Sequence, residues 1–307
     1  MMEIKNNKEK KETFAVCVVG DFKFLRKYFK KFINNLRVEG NYKGDVVVIT
    51  SKLTPVFLFK FSNFKNIHFL KFNKIKFDKE TENSLKSLNT GSEPNRHIYK
   101  NFQWNKLHLF DSDLKKWDFV FYIDINMTIH KSLISLFKIK PDGKIFANED
   151  TNLNEEWTLG GQFDNTNPIY KDLEKNYDLN IKNYFQSGIL YFDTNIIETS
   201  TKNKILDLVR KYPISKTNEQ GILNIYFLFI EKLYKVMPQN VDGLTTYSYW
   251  KKNDSLNQIF RFESIIPYPF NSGIEINSTL NYEFVNGMYT KSEYKIMNAV
   301  SNSSYGI

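Results

Sequence analysis

Asp124 stands at the end of an unbroken apolar run, Phe119 to Ile123, with Asn126 two residues further on. A run of aromatic and β-branched residues of this length is the pattern of a buried strand. Side chains two apart in an extended segment point to the same side, so the Asp124 carboxylate and the Asn126 amide oxygen can face one divalent cation or one ligand together. An amide oxygen coordinates without adding charge, so the pair is expected to hold a metal more weakly than two carboxylates would. The competing reading is that Asp124 only caps the turn after a core strand.

Other residues gain interest from their neighbours. Phe14 to Val19 is a second apolar run, ending in Gly20 and Asp21. An amphipathic helix follows, with Phe22, Leu25, Phe29, Phe32, Ile33 and Leu36 on one face and lysines opposite, and then the run DVVVIT from Asp45. Strand, helix, strand reads as a parallel unit, and open α/β sheets gather ligands at the carboxyl ends of strands. Val19 and Gly20 are therefore candidates to touch a nucleotide, while Asp21 is better placed as a helix N-cap. Lys106, carried with His108 on an expected helix from Arg96 to Phe110, reads alone as a surface lysine; beside a strand-end diphosphate it would neutralise charge. FQSGILYFD, Phe185 to Asp193, is another buried strand, entered through Gln186, Ser187 and Gly188. Thr217 and Gln220 have capping-box spacing, which gives Gln220 a structural role, and Glu219 falls in a first helical turn, where the helix dipole favours an acid. Glu149, Asp150, Glu155 and Glu156 form an acidic stretch that can line an acceptor site or be a solvated loop.

The elements around these residues are predicted as follows. Further strands are expected near Ile67–Phe72, at Ile145–Asn148, ending at Pro238, and around Ser264–Ile266. A short strand through Ile129 leads to a helix from Ser132 to Phe137, and another helix spans Thr201 to Lys211, closed by Pro213. Residues 78–95 are polar, with Gly and Pro, and read as a covering loop. With 307 residues and 41% hydrophobic content the chain can bury a large core. One domain over residues 14–300 is expected, with frayed ends at 1–13 and 301–307.

The net charge of +9 and the lysines interleaved with aromatics raise nucleic-acid or anionic-membrane binding. The helical spacing accounts for the first such stretch and no nucleic-acid motif accompanies the charge, so no nucleic-acid partner is expected. The charged first dozen residues and the lack of a long apolar run predict a cytoplasmic protein without a transmembrane segment. The one cysteine, Cys17, lies inside an apolar strand and reads as core.

Four segments agree in order and spacing with one family: NKLHLFD with Lys106; FYIDIN with Asp124 and Asn126, followed by SLISLF; YFQSGILYFDT; and NEQGILNIYF with Glu219, Gln220, Gly221 and Asn224. On these the chain resembles the family-eight, glycogenin-like glycosyltransferases over roughly residues 14 to 240. The resemblance implies the GT-A fold, a Rossmann-like α/β fold with a central, mostly parallel mixed sheet flanked by helices. It implies retaining transfer of a hexose from a nucleotide diphosphate sugar, usually UDP-linked, to a carbohydrate or protein hydroxyl, assisted by Mn²⁺ or Mg²⁺. Asp124 then matches the first metal-binding Asp, and Asn126 stands where the second normally is. Lys106 matches a lysine near the donor sugar and phosphates. Gln186, Ser187 and Gly188 match the strand bordering the sugar, and Glu219 and Gln220 match the pair beside the anomeric carbon. The family's late His-x-x-Gly-x-x-Lys segment is absent. No histidine follows His130, and IIPYPFNSG puts Pro267 at the corresponding place, which leaves Asp242 as a late oxygen ligand. The alternatives are a metal-independent transferase and a degenerate, non-catalytic nucleotide-sugar-binding or scaffold protein on the same fold.

Overall fold

In the computed structural model the apolar runs become the strands of one seven-stranded sheet. The described residues are 12–60, 65–88, 102–150, 157–246 and 265, with the backbone of 282–285 and 288–291. Strands β1 (Phe14–Val19), β2 (Asp45–Ser51), β3 (Ile67–Phe72), β4 (Phe119–Ile123), β5 (Ile145–Glu149), β6 (Phe185–Asp193) and β7 (Tyr234–Val236) lie in the order β3-β2-β1-β4-β6-β5-β7. The first four are parallel, β6 runs against both β4 and β5, and β7 is parallel to β5. The chain winds outward from β1 through β2 to β3, then returns to β4 on the other flank of β1. The carboxyl ends of β1 and β4 thus form the switch point where α/β sheets leave a crevice for ligands.

Five α-helices join them among the described residues: α1 (Phe22–Val38), α2 (Lys79–Ser87), α3 (Ile169–Asn176), α4 (Thr201–Lys211) and α5 (Glu219–Asn224). The fold is α/β, a mixed and mostly parallel sheet flanked by helices. By compactness the chain divides into two units. The first comprises residues up to Phe22, Gly44–Ile123 and Lys140–Met237; the second comprises Lys23–Lys43, Asp124–Ile139 and the chain from Pro238. The first holds the sheet, whose core includes Cys17, Val47, Trp104, Tyr122, Leu190, Ile205 and Phe227. Cys17 is fully buried, and burial pushes its thiol pKa far up, as expected of a core residue.

Several local expectations are corrected. The polar stretch from Asp78 is not all loop: Asp78 accepts from the Thr81 N–H (2.9 Å) and caps α2. The expected helix ending at Phe110 is, over Trp104–Phe110, a 3₁₀ helix, while residues 89–101 lie outside the described part. The expected Ser132–Phe137 helix is only a 3₁₀ turn at Leu136–Lys138, and no strand runs through Ile129. Of Ser264–Ile266 only Ile265 is described, and Pro267 lies outside the described residues, as do Glu155 and Glu156.

In the second unit the segment after Asp124 is held by one side chain. Asn35, on α1, donates to the Ile129 carbonyl (2.7 Å) and accepts from the Ile129 N–H (2.6 Å), so its amide stands in for a strand partner. That explains how an asparagine 1% exposed is tolerated on the buried face of a helix. Asn35→Leu should cost about 2–4 kcal/mol, because two buried backbone groups lose their partners. Urea denaturation of the variant against wild type measures this.

Candidate functional site

A buried polar cluster forms in the first unit, from three distant parts of the chain. Lys106, on the Trp104–Phe110 3₁₀ helix, donates through Nζ to Glu219 Oε1 at 2.7 Å. It also donates to the Ser187 carbonyl and to Ser187 Oγ, each at 3.2 Å, and its ammonium lies 5.2 Å from the centre of the Tyr122 ring. Ser187 Oγ in turn donates to Glu219 Oε1 (3.1 Å). Lys106 is 7% exposed and Glu219 3%, so this is an ion pair withdrawn from water. An ammonium has three N–H donors, and here all three point into the protein. Lys106 as placed holds the Glu219 carboxylate and the β6 backbone rather than reaching out to a phosphate.

The other Glu219 oxygen is different. Oε2 is buried and has no hydrogen-bond partner among the described residues. Buried carboxylate oxygens are almost always satisfied, so this one is an exception inside an otherwise well-bonded polar cluster.

Gln220 extends the cluster. Its Oε1 accepts from the Ser187 N–H (3.0 Å), and its Nε2 donates to Asp150 Oδ2 (2.8 Å) and Gln162 Oε1 (2.9 Å). Gln162 Nε2 donates to the same Asp150 oxygen (3.1 Å). Asp150 therefore accepts from two amides, yet no cation compensates it in the described contacts. Burial pushes its pKa up to about 6, against the opposing effect of the two hydrogen bonds. Nearby Tyr184 is raised to about 12 by burial and by the Asp150 charge.

Local backbone features set these side chains. The expected capping box is not formed: Thr217 Oγ1 donates to Gln162 Oε1 (2.5 Å), and Asn218, with φ 54° and ψ −122°, occupies the N-cap of α5. That conformation is uncommon for a residue with a Cβ and is kept only where its surroundings enforce it. Ser215 Oγ donates to the Asn218 carbonyl (2.6 Å) and Asn218 Nδ2 donates to Gln103 Oε1. The sharp turn lets Glu219 and Gln220 begin a helix already inside the core. Gly221 makes the packing possible, since a Cβ there would come within 2.7 Å of Ser215 Oγ and 3.0 Å of the Phe163 ring. Asn224, one turn on, bonds both the N–H and the C=O of Phe185 at 2.8 Å, fixing the start of β6. A bulge between Ala147 and Glu149 ends the regular β5 pairing and re-aims the chain at Asp150.

Other expected site residues have these positions. Val19 ends β1, and the Gly20 N–H donates to the Ile49 carbonyl (3.1 Å), extending the β1–β2 ladder by one residue. Gln186 Oε1 accepts from the Gly188 N–H (2.6 Å) within β6. His108 pairs with Asp111 (2.6 Å) and with the Asn73 carbonyl (3.1 Å) and stacks on Phe72, which gives it a structural place.

Asp124, Asn126 and Asp242 belong to the second unit. The premise of an extended Asp124–Asn126 segment is corrected: the Met127 N–H donates to the Asp124 carbonyl (2.9 Å), closing a turn. Asp124 and Asn126 remain partly exposed between the buried Ile123, Ile125 and Met127. Asp242 and Gly243 form the two-residue turn between β8 (Asn240–Val241) and β9 (Leu244–Thr245), both with positive φ, as hairpin turns of this length require. The Asp242 carboxylate is paired with Lys138, which holds it below the usual range. A cation at Asp242 would have to displace that ammonium. Among the described residues no three His, Cys, Asp or Glu side chains gather as a metal cage. Asp124 and Asn126 are both oxygen donors, which fits a hard cation that completes its shell with phosphate oxygens and water.

Sequence reasoning passed over Gln162 and Asn218, which carry no signal outside the fold. Asp150 was only one of four acids, although a carboxylate just past a strand end is the same signal that singled out Asp124.

The chain has the GT-A type of fold found in glycosyltransferases. The galactosyltransferase LgtC, solved with donor and acceptor sugar analogues, matches with a TM-score of 0.51 and 14% identity over 85% of this chain and 88% of that one. Mouse xyloside xylosyltransferase 1 matches with a TM-score of 0.45 and 9% identity over 85% of this chain and 98% of that one. The glycosyltransferase GlyE of Streptococcus pneumoniae TIGR4 matches with a TM-score of 0.44 and 13% identity over 75% of this chain and 46% of that one. No protein-family model and no curated protein matches the sequence. No helix among the described residues is long and apolar enough to cross a membrane.

Removing one partner of the buried pair should be severe. Lys106→Met should cost about 3–5 kcal/mol by leaving Glu219 uncompensated, and Lys106→Met with Glu219→Met should recover part of that, both measured by chemical denaturation. Asp150 has the opposite sign from a salt-bridged acid. Its folded pKa of about 6 lies above the ordinary 3.8, so its contribution to stability is present at low pH and is lost as pH rises through about 6. Asp150→Asn should therefore gain stability relative to wild type between pH values below 3.8 and above about 6, as urea titrations across that window would show.

Proposed function

We propose that this protein is a glycosyltransferase that moves a hexose from a nucleotide diphosphate sugar, UDP-linked, to a hydroxyl acceptor with retention of anomeric configuration. The observation that carries the reading is the Glu219 carboxylate: buried, held by Lys106 and Ser187 through Oε1, and open at Oε2. The GT-A type of fold supplies the context. As the bond from the anomeric carbon to the diphosphate oxygen breaks, its electron pair leaves with the diphosphate and positive charge develops on the sugar. Glu219 Oε2 is the oxygen suited to stabilise that charge, and its fixed position avoids reorganisation during the step. Lys106 acts through Glu219, as a positioning residue. The Gln220 amide, anchored by Ser187, Gln162 and Asp150, faces the same reaction. The acceptor hydroxyl forms the new bond on the face the diphosphate leaves, or attacks a carboxylate-linked sugar and displaces the carboxylate; in either route its proton passes to the departed diphosphate, and each route retains configuration.

Asp124 and Asn126 would hold Mn²⁺ or Mg²⁺, whose contribution when bound is to neutralise charge on the diphosphate oxygens. In this reading Asp150 belongs to the acceptor side, and Val19, Gly20, Gln186, Ser187 and Gly188 to the donor side. The test is nucleotide release from a panel of UDP- and GDP-sugars with Mn²⁺, with Mg²⁺ and with chelator. One donor should be cleaved, faster with metal. Glu219→Gln should lower turnover about 10²–10³-fold, the loss typical of a removed transition-state contact, and Asp124→Ala should abolish the metal response. Binding of a donor without turnover, unchanged in Glu219→Gln, would instead support a non-catalytic binding protein.

A further inference from the structure

Between Asp45 and Asp78 the chain carries six lysines and no carboxylate. All six, from Lys52 to Lys76, are exposed. The same segment holds the most exposed large apolar side chains described in the first unit: Leu53 at 93%, Phe57 at 70% and Leu58 at 49%. They lie on the turn after β2, which is firmly built beneath them. Thr50 and Thr54 hydroxyls bond each other at 2.8 Å, the Lys52 N–H donates to the Phe72 carbonyl at the end of β3, and Phe59 is buried against Phe22 and Phe69. The exposed residues are thus presented by a fixed turn at the carboxyl ends of β2 and β3, the adjacent pair at one edge of the sheet.

We propose that this turn and the lysines around it form a docking surface for an anionic lipid bilayer, with Leu53, Phe57 and Leu58 entering the headgroup–acyl boundary. A cluster of apolar side chains at a charged surface normally marks an interaction site, and exposure as high as that of Leu53 marks a protrusion rather than a groove. A protruding Leu and Phe pair flanked by Lys52 and Lys60 has the composition of interfacial membrane anchors: apolar tips for the lipid, ammonium groups for its phosphates. A second copy of this chain is disfavoured as the occupant, since like-charged lysines would face each other across the interface. A nucleic acid would use the lysines but leave the apolar tips in water. The proposal is independent of the glycosyl-transfer chemistry.

The experiment is flotation of the full chain with vesicles of phosphatidylcholine alone and of phosphatidylcholine with phosphatidylserine. Binding should require phosphatidylserine and weaken with salt. The variant Leu53→Ser/Phe57→Ser/Leu58→Ser should bind roughly tenfold more weakly or worse, as should Lys52→Gln/Lys60→Gln/Lys71→Gln, since stable anchoring needs both signals. All these side chains are exposed, so circular dichroism melts should match wild type. In Phe57→Trp, fluorescence should shift to the blue on adding the phosphatidylserine vesicles. No binding, equal binding to phosphatidylcholine alone, binding unaffected by the serine variant, or no fluorescence shift would each overturn the proposal. Displacement by single-stranded DNA that the serine variant retains at full affinity would reassign the surface to a polyanion.

Discussion

The first unit depends on a carboxylate and an ammonium that share a place without water. Glu219 begins a helix, Lys106 lies within a 3₁₀ helix more than a hundred residues earlier, and Ser187 lies on β6. Withdrawing either charge alone from solvent would be prohibitive, so each is admissible only while the other is in register. Ser187 sets that register, because its carbonyl and hydroxyl both receive Lys106 while its hydroxyl donates to Glu219. The pair is a poor source of net stability, and an apolar substitute of the same volume would serve the fold as well. In the core it holds one carboxylate oxygen firmly and leaves the other unpaired among the described residues.

The cluster is held by devices which leave the backbone little freedom. Asn224 ties Phe185 from both its donor and its acceptor, so β6 enters the cluster at a fixed height. Asn218 holds a conformation with a positive φ that turns the chain abruptly into α5. Gly221 permits the helix to approach Phe163 and Ser215 more closely than any side chain would allow. The bulge in β5 delivers Asp150 to the far side of Gln220. In the second unit, Asn35 performs for Ile129 what Asn224 performs for Phe185. Side-chain amides recur because they alone match both halves of a peptide group.

All seven strands of the main sheet were legible in the sequence; the central ones are short apolar runs bounded by polar or turn residues and are buried, whereas the edge strands β3 and β7 carry lysines and are partly exposed. α1 was legible from periodicity, and α4 as a helix closed by Pro213. The helical reading before Phe110 and at Ser132–Phe137 failed at the level of hydrogen bonding: the apolar spacing is there, but the segments tighten into 3₁₀ turns. The polar cluster was legible where a singled-out polar residue lies in a strand, as with Ser187. It was illegible where tertiary contacts override a local motif. Thr217 and Gln220 have the spacing of a capping box, yet both side chains turn to Gln162, a residue more than fifty positions away that no local pattern distinguishes.

The two buried carboxylates that flank Gln220 are held in different electrostatic states. Glu219 is matched by an ammonium and contributes no net charge to its surroundings as a pair. Asp150 is matched only by amide dipoles, and burial raises it to about 6, so its charge changes near that pH. When Asp150 takes a proton, Gln220 keeps its bonds to Ser187 and Gln162, so the amide stays in place while the negative field behind it vanishes. A positive centre forming beside Gln220 would therefore be favoured with Asp150 ionised, and the fold tolerates the destabilisation of that charge because the network around it remains satisfied in both states.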